Sequence, residues 1–121
     1  MKTFELPLTL GANSNSRWEL RVRVSPNGRT FGGTEPWFEV KLVENGNPIK
    51  ETVATQPFSC FSSVMEGRRT AMMCEGGMLA IHRNGERINV QFHGSDGKLI
   101  GVEGTTVMFQ ELINDLAAVR H

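Results

Sequence analysis

Two cysteines, Cys60 and Cys74, and three histidines, His82, His93 and His121, are the side chains best suited to chemistry in this sequence. A thiolate nucleophile needs a base beside it. A hairpin turning at Asn84-Gly85 sets Gly76 opposite His93 and leaves Cys74 diagonal to that histidine. A diagonal pair sits about 7–8 Å apart, beyond hydrogen-bond reach. Nothing resembles an oxyanion loop, and cysteines among methionines and phenylalanines usually behave as inert hydrophobes. No catalytic residue is expected.

Metal binding fares no better on these residues. No Cys-x-x-Cys or His-x-x-x-His spacing occurs, and the same hairpin separates His82 from His93 by roughly 20 Å. No metal and no cofactor are expected. Gly32-Gly33 and Gly76-Gly77 are isolated pairs outside any phosphate-cradling pattern, and read as turns or close backbone approaches.

Nine arginines against four lysines, with 13 cationic and 13 acidic residues in all, give a chain of zero formal charge. A nucleic-acid partner is therefore disfavoured, since such binders carry a basic excess. Arg17, Arg21 and Arg23 share one face of a strand and read as a solvated row balanced by Glu19. The Arg17-x-x-x-Arg21 spacing resembles the arginine pair of PilZ-type nucleotide-binding barrels. The Asp/Asn-x-Ser-x-x-Gly partner motif is missing, however, and the arginines lie inside a strand, so the resemblance carries no assignment.

The segment from Thr55 to Gly77 is rich in phenylalanine, methionine and cysteine and is broken by Glu66-Gly67-Arg68-Arg69. Two meanings compete, a core hairpin and an adaptable apolar surface for a partner. The partner reading names Phe58, Phe61, Met65, Arg68, Arg69, Met72 and Met73 as the binding set, the arginines forming a polar rim. As a hairpin with its tip at Glu66-Gly67, the segment sets Cys60 opposite Cys74.

These residues have to be held by strands. Phe4, Leu6, Leu8 and Leu10 alternate with polar positions, as do Trp18, Leu20, Val22 and Val24 after the loop from Gly11 to Ser16. Ser25-Pro26-Asn27-Gly28 and Gly32-Gly33-Thr34-Glu35-Pro36 read as turn and connection, ahead of a strand from Trp37 to Glu44. At Asn45-Gly46 a three-residue loop is favoured, because it sets Lys41 opposite Glu51 rather than Lys50. The Asn84-Gly85 turn pairs Ile81 with Ile88, and Gly94-Ser95-Asp96-Gly97 leads to a last strand from Lys98 to Glu103. Thr105 and Thr106 then open an amphipathic helix to Arg120, with Phe109, Leu112, Ile113 and Leu116 on its buried stripe and Arg120 and His121 at its end.

Many strands followed by one helix give an α+β fold. The expectation is a single domain, residues 1–121, built on a mainly antiparallel, strongly curved or partly closed β-meander with the C-terminal amphipathic helix packed on it. Met1 to Pro7 lacks the apolar run of a signal peptide, so the expected location is cytoplasmic, with both cysteines reduced and no membrane span. The expected function is that of a non-enzymatic protein-binding module, a small inhibitor or immunity-type protein that neutralises another macromolecule. A small-ligand carrier with an apolar cavity comes second and a Cys/His enzyme third. The partner's identity and the oligomeric state stay open.

Overall fold

Strict alternation of apolar and polar residues builds the first hairpin, as the sequence predicts. β1 (Thr3–Leu8) pairs antiparallel with β2 (Trp18–Val24), Leu6 opposite Leu20 and Phe4 opposite Val22, so all the apolar residues but half-buried Val24 enter the core. A computed structural model describes residues 2–9, 16–25 and 36–119. The expectations for Leu10, for most of the two connections across 11–15 and 26–35, and for Arg120 and His121 lie outside the described residues.

β3 (Trp37–Glu44) adds Phe38, Val40 and Leu42 to the same face beside β2. Its hairpin to β4 (Asn47–Pro48) closes through two residues, Asn45 and Gly46, both at positive φ (51° and 82°). Positive φ at both central positions is the type I′ requirement. The favoured three-residue loop is overturned, and the clash that motivated it never arises. The chain leaves the ladder after Pro48 for a 3₁₀ turn at Lys50–Thr52, so Lys41 has no Lys50 beside it in the sheet. Thr52 takes over the ladder's role: the Leu42 amide donates to its Oγ1 at 2.9 Å, and that hydroxyl donates to the Ile49 carbonyl at 2.7 Å. β5 (Ala54–Pro57) then returns to pair with the first half of β3.

The largest departure from expectation comes next. Phe58–Met65 is a helix, α1, not the first arm of a hairpin, so Cys60 does not face Cys74 and neither forms a disulfide. Glu66-Gly67 is its cap. Gly67 has φ 94°, its amide donates to the Val64 carbonyl and the Arg68 amide to that of Ser63, which is the Schellman pattern. A glycine at a helix end and a glycine at a hairpin tip make the same left-handed demand, which explains the misreading.

β6 (Thr70–Cys74), β7 (Gly77–Asn84), β8 (Arg87–Gly94) and β9 (Leu99–Thr105) form a second antiparallel sheet in sequential order. α2 (Thr106–Val119) ends the described chain, and its buried residues are Phe109, Leu112, Ile113 and Leu116, the predicted stripe. Thr105 caps it by accepting from the Met108 amide at 3.2 Å.

The fold is thus α+β with antiparallel sheets, but the strands divide into a five-stranded and a four-stranded sheet rather than one curved or closed sheet. An isolated bridge from Thr9, just after β1, to Glu103 of β9 links the sheets. Gly104 permits that approach, since a Cβ there would stand 3.0 Å from the Pro7 carbonyl oxygen and 3.1 Å from Leu8. Each half of the chain runs as antiparallel strands ending in a helix, an order that the sequence itself does not repeat. α1 lies against β5, β6 and β7, and α2 against β1, β8 and β9, so each helix covers strands of both sheets and one core joins them.

Candidate functional site

With the inner faces in the core, chemistry must come from the outer ones, and the two sheets treat theirs differently. On the first sheet the cross-strand partners are charged: Glu5 faces Arg21, Arg21 faces Lys41, and Arg23 faces Glu39. Arg23 donates to Glu39 through Nε at 2.9 Å and Nη2 at 3.2 Å. Lys41 Nζ reaches the same carboxylate at 3.4 Å, and Arg21 reaches Glu19 at 3.4 Å. Two-point arginine contacts are the stronger kind of pair. Arg21 and Arg23 are therefore paired with acids on the same face, Arg21 with Glu19 as expected from sequence.

Burial pushes the Glu39 carboxyl up, but the Arg23 hydrogen bond and the charges of Arg23 and Lys41 outweigh it and hold it below the usual carboxylate range. A group depressed in the folded state stabilises above its unfolded pKa, and that contribution is lost as pH falls through the folded value. Wild type should therefore exceed Glu39→Gln in stability by about 1 kcal/mol or less at pH 7, as solvent-screened pairs do. The gap should close as the solution is acidified below about pH 4. Urea unfolding of both proteins from pH 7 to pH 2 checks this; a gap independent of pH would exclude the ion pair as its source.

The outer face of the second sheet is built from other residues. A row of direct cross-strand partners runs Met73, Met78, His93, Leu99. Met73 is 75 % exposed, Leu99 70 % and Met78 40 %, and His93 is exposed as well. The next row, Ala71, Ala80, Gln91, Gly101, is small and uncharged. The third brings His82 beside Asn89, 3.4 Å between His82 Nε2 and Asn89 Nδ2, and Asn89 beside Glu103. A depression of about 350 Å³ opens on this side, lined by Thr9, Asn89, Gln91, Gly101, Val102 and Glu103. At the far end Arg87 stands 3.9 Å from Glu103.

This arrangement depends on a register that the sequence reading missed by one turn position. The turn residues are Gly85 and Glu86, not Asn84 and Gly85, so Ile81 faces Val90 and Met78 faces His93. Gly85 alone has positive φ (64°), as a type II′ turn with glycine first requires. Because the ladder slides by two residues, every side chain keeps its face while its neighbour changes. His82 and His93 remain on different rows, but four residues apart along the strands instead of the six expected.

The seven residues expected to bind a partner do not share a surface. Phe58, Phe61 and Met72 are buried in the core, and half-buried Met65 packs against it. Arg68 and Arg69 are exposed between the cap of α1 and β6, and Met73 lies on the outer row. Met78, His93 and Leu99, which that set does not name, stand beside Met73 on this row. Their signal was present in the alternation, but recognising the row needed the correct turn.

The thiol of Cys74 is pushed up by burial, only partly offset by the backbone amides of Gly76 and Gly77, the opposite of what a nucleophile requires. Among the described residues, no group of three or more His, Cys, Asp and Glu side chains is gathered for a metal ion, and no helix is long and apolar enough to cross a membrane. Comparison with protein-family models, with curated proteins and with solved structures gave no match.

Proposed function

We propose that this chain is a non-enzymatic protein-binding module, a small inhibitor or immunity-type protein that neutralises another macromolecule by covering it with the outer face of the second sheet. The row Met73, Met78, His93, Leu99 carries the reading: three large apolar side chains stand in water beside a row without charge. Protein interfaces have such centres, depleted of charge and enriched in methionine. Arg69 and the Arg87–Glu103 pair supply polar groups at its margin.

The partner that this chemistry fits is a protein surface with an apolar, weakly charged centre. A polyanion fits poorly, because Arg21 and Arg23 are already engaged by Glu19 and Glu39. The carrier alternative has less support, since the rings of Phe38, Phe58, Phe61 and Phe109 occupy the space beneath the helices. A cytoplasmic location belongs to the same reading, for Cys60 and Cys74 would stay reduced there.

The test is capture of the partner from the native host with tagged protein, then calorimetric titration of the purified partner with three variants. Met73→Asp/Leu99→Asp should bind at least tenfold more weakly, about 1.4 kcal/mol, with an unchanged melting temperature. Arg69→Glu should weaken binding less, and Arg21→Glu on the other sheet should have no effect. Loss of binding confined to Arg21→Glu, or equal affinity for all three, would refute the surface assigned.

A further inference from the structure

We propose that Met73, Met78 and His93 form a surface site for a soft monovalent metal ion, Cu(I). Three neighbouring donors occur in one row: Met78 lies directly opposite Met73 on one side and His93 on the other. Directly opposed residues have Cα atoms about 4.5–5.5 Å apart. Met73 and His93 are separated by two strand spacings, about 10 Å. An unbranched methionine side chain and an imidazole can close that gap by converging on a point above the middle strand. All three residues are exposed, so an ion can enter without opening the core.

The donors choose the metal. Thioether sulfur is soft and selects Cu(I), whereas carboxylate, carbonyl and water oxygens suit magnesium, calcium and manganese. Neutral imidazole is a ligand common to many metals, and here it completes a set of three neutral donors. The row contains no carboxylate, and the adjacent row Ala71, Ala80, Gln91, Gly101 contains none either. A set without anionic ligands suits a singly charged ion better than Zn²⁺, which favours thiolate, imidazole and carboxylate ligands in tetrahedral sets. Leu99, opposite His93, adds an apolar wall that limits water on that side. The sites usually sought from sequence are combinations of cysteine, histidine and acids, and this one escapes such a search because two of its three ligands are methionines.

The site shares its row with the proposed docking surface but does not require a docked protein, and leucine separates the two. Met→Leu keeps volume and apolar area while removing the sulfur. The experiment titrates reduced protein against the Cu(I)–bicinchoninate complex without oxygen. Cys60→Ala/Cys74→Ala serves as the background, so that thiolates do not compete. One equivalent of Cu(I) should be withdrawn from the dye complex. Met73→Leu/Met78→Leu should lower the affinity at least 100-fold and His93→Ala at least tenfold, with melting curves unchanged in the absence of metal. Failure to withdraw Cu(I) in the cysteine-free background, or equal affinity after Met73→Leu/Met78→Leu, would overturn the site. Partner titration with Met73→Leu/Met78→Leu isolates the docking reading: unchanged partner affinity beside lost Cu(I) binding supports two separable properties of one face. A partner lost only with Met73→Asp/Leu99→Asp leaves the metal assignment standing.

Discussion

Phe61→Ala should cost about 3–5 kcal/mol, the range for truncating a buried aromatic residue. Phe61 is 0 % exposed and stands where the first sheet, α1 and α2 meet. Its ring meets Phe38 of β3 edge-on, with centroids 5.9 Å apart and planes at 89°, and lies 6.4 Å from the ring of Phe109 on α2. Each such aromatic pair adds about 0.5–1.5 kcal/mol beyond area burial. Removing the ring opens a cavity beneath both helices, and α1, eight residues long, is too short to stand alone. Urea unfolding should therefore show a large loss of stability. Phe61 belonged to the partner-binding set expected from sequence, and that role predicts the reverse: a stable variant with impaired binding. A midpoint shift worth less than about 0.5 kcal/mol would exclude a packing role for this ring. Met73→Ala, on the open row, is the control, and should fall within that limit.

Phe61 also marks how far the sequence was legible. Strands β1, β2 and β3 and the buried stripe of α2 follow from alternation and helical spacing, because each element buries one face against water on the other. The helix α1 obeys the same physics: Phe58, Phe61 and Val64 recur every three residues, and all three are buried. That spacing was obscured by Ser59, Ser62 and Ser63, which are weak helix formers, and by Glu66-Gly67, whose glycine serves a turn and a helix cap alike. The outer face was less legible still. Its membership follows from alternation, but its rows follow from the turn, and Asn84-Gly85-Glu86 offers two tight turns differing by one position. Both keep the core intact, so the core pattern could not choose between them. The link between the two sheets relies on Gly104 letting β1 approach β9, a tertiary contact that no local pattern announces.

Gly77→Ala should be nearly as damaging as the loss of Phe61, at about 3 kcal/mol or more, although it adds only a methyl group to a half-buried position. Two costs coincide. Gly77 has φ 154°, a conformation that L-residues with a side chain rarely adopt. A Cβ there would also overlap the His93 carbonyl oxygen and stand 2.9 Å from Gly94 Cα, backbone atoms that cannot swing aside. Gly97→Ala separates the two terms, since Gly97 has φ 93° but nothing within 4 Å of an added Cβ. That variant should lose only about 1–2 kcal/mol, the left-handed penalty alone. Equal losses at the two positions, measured by urea unfolding, would remove the steric argument. The consequence reaches the candidate site. Gly77 pairs with Gly94 at the end of the β7–β8 ladder, one step from the pairing of Met78 with His93. A side chain at Gly77 would push the His93 backbone away from β7 and separate two members of the exposed row. In folded Gly77→Ala protein below its midpoint, Cu(I) affinity and partner affinity should therefore both fall, while Gly97→Ala leaves both intact. The Gly85-Glu86 turn sets the register that pairs Met78 with His93, and bare backbone at Gly77 lets the end of that ladder close beside them.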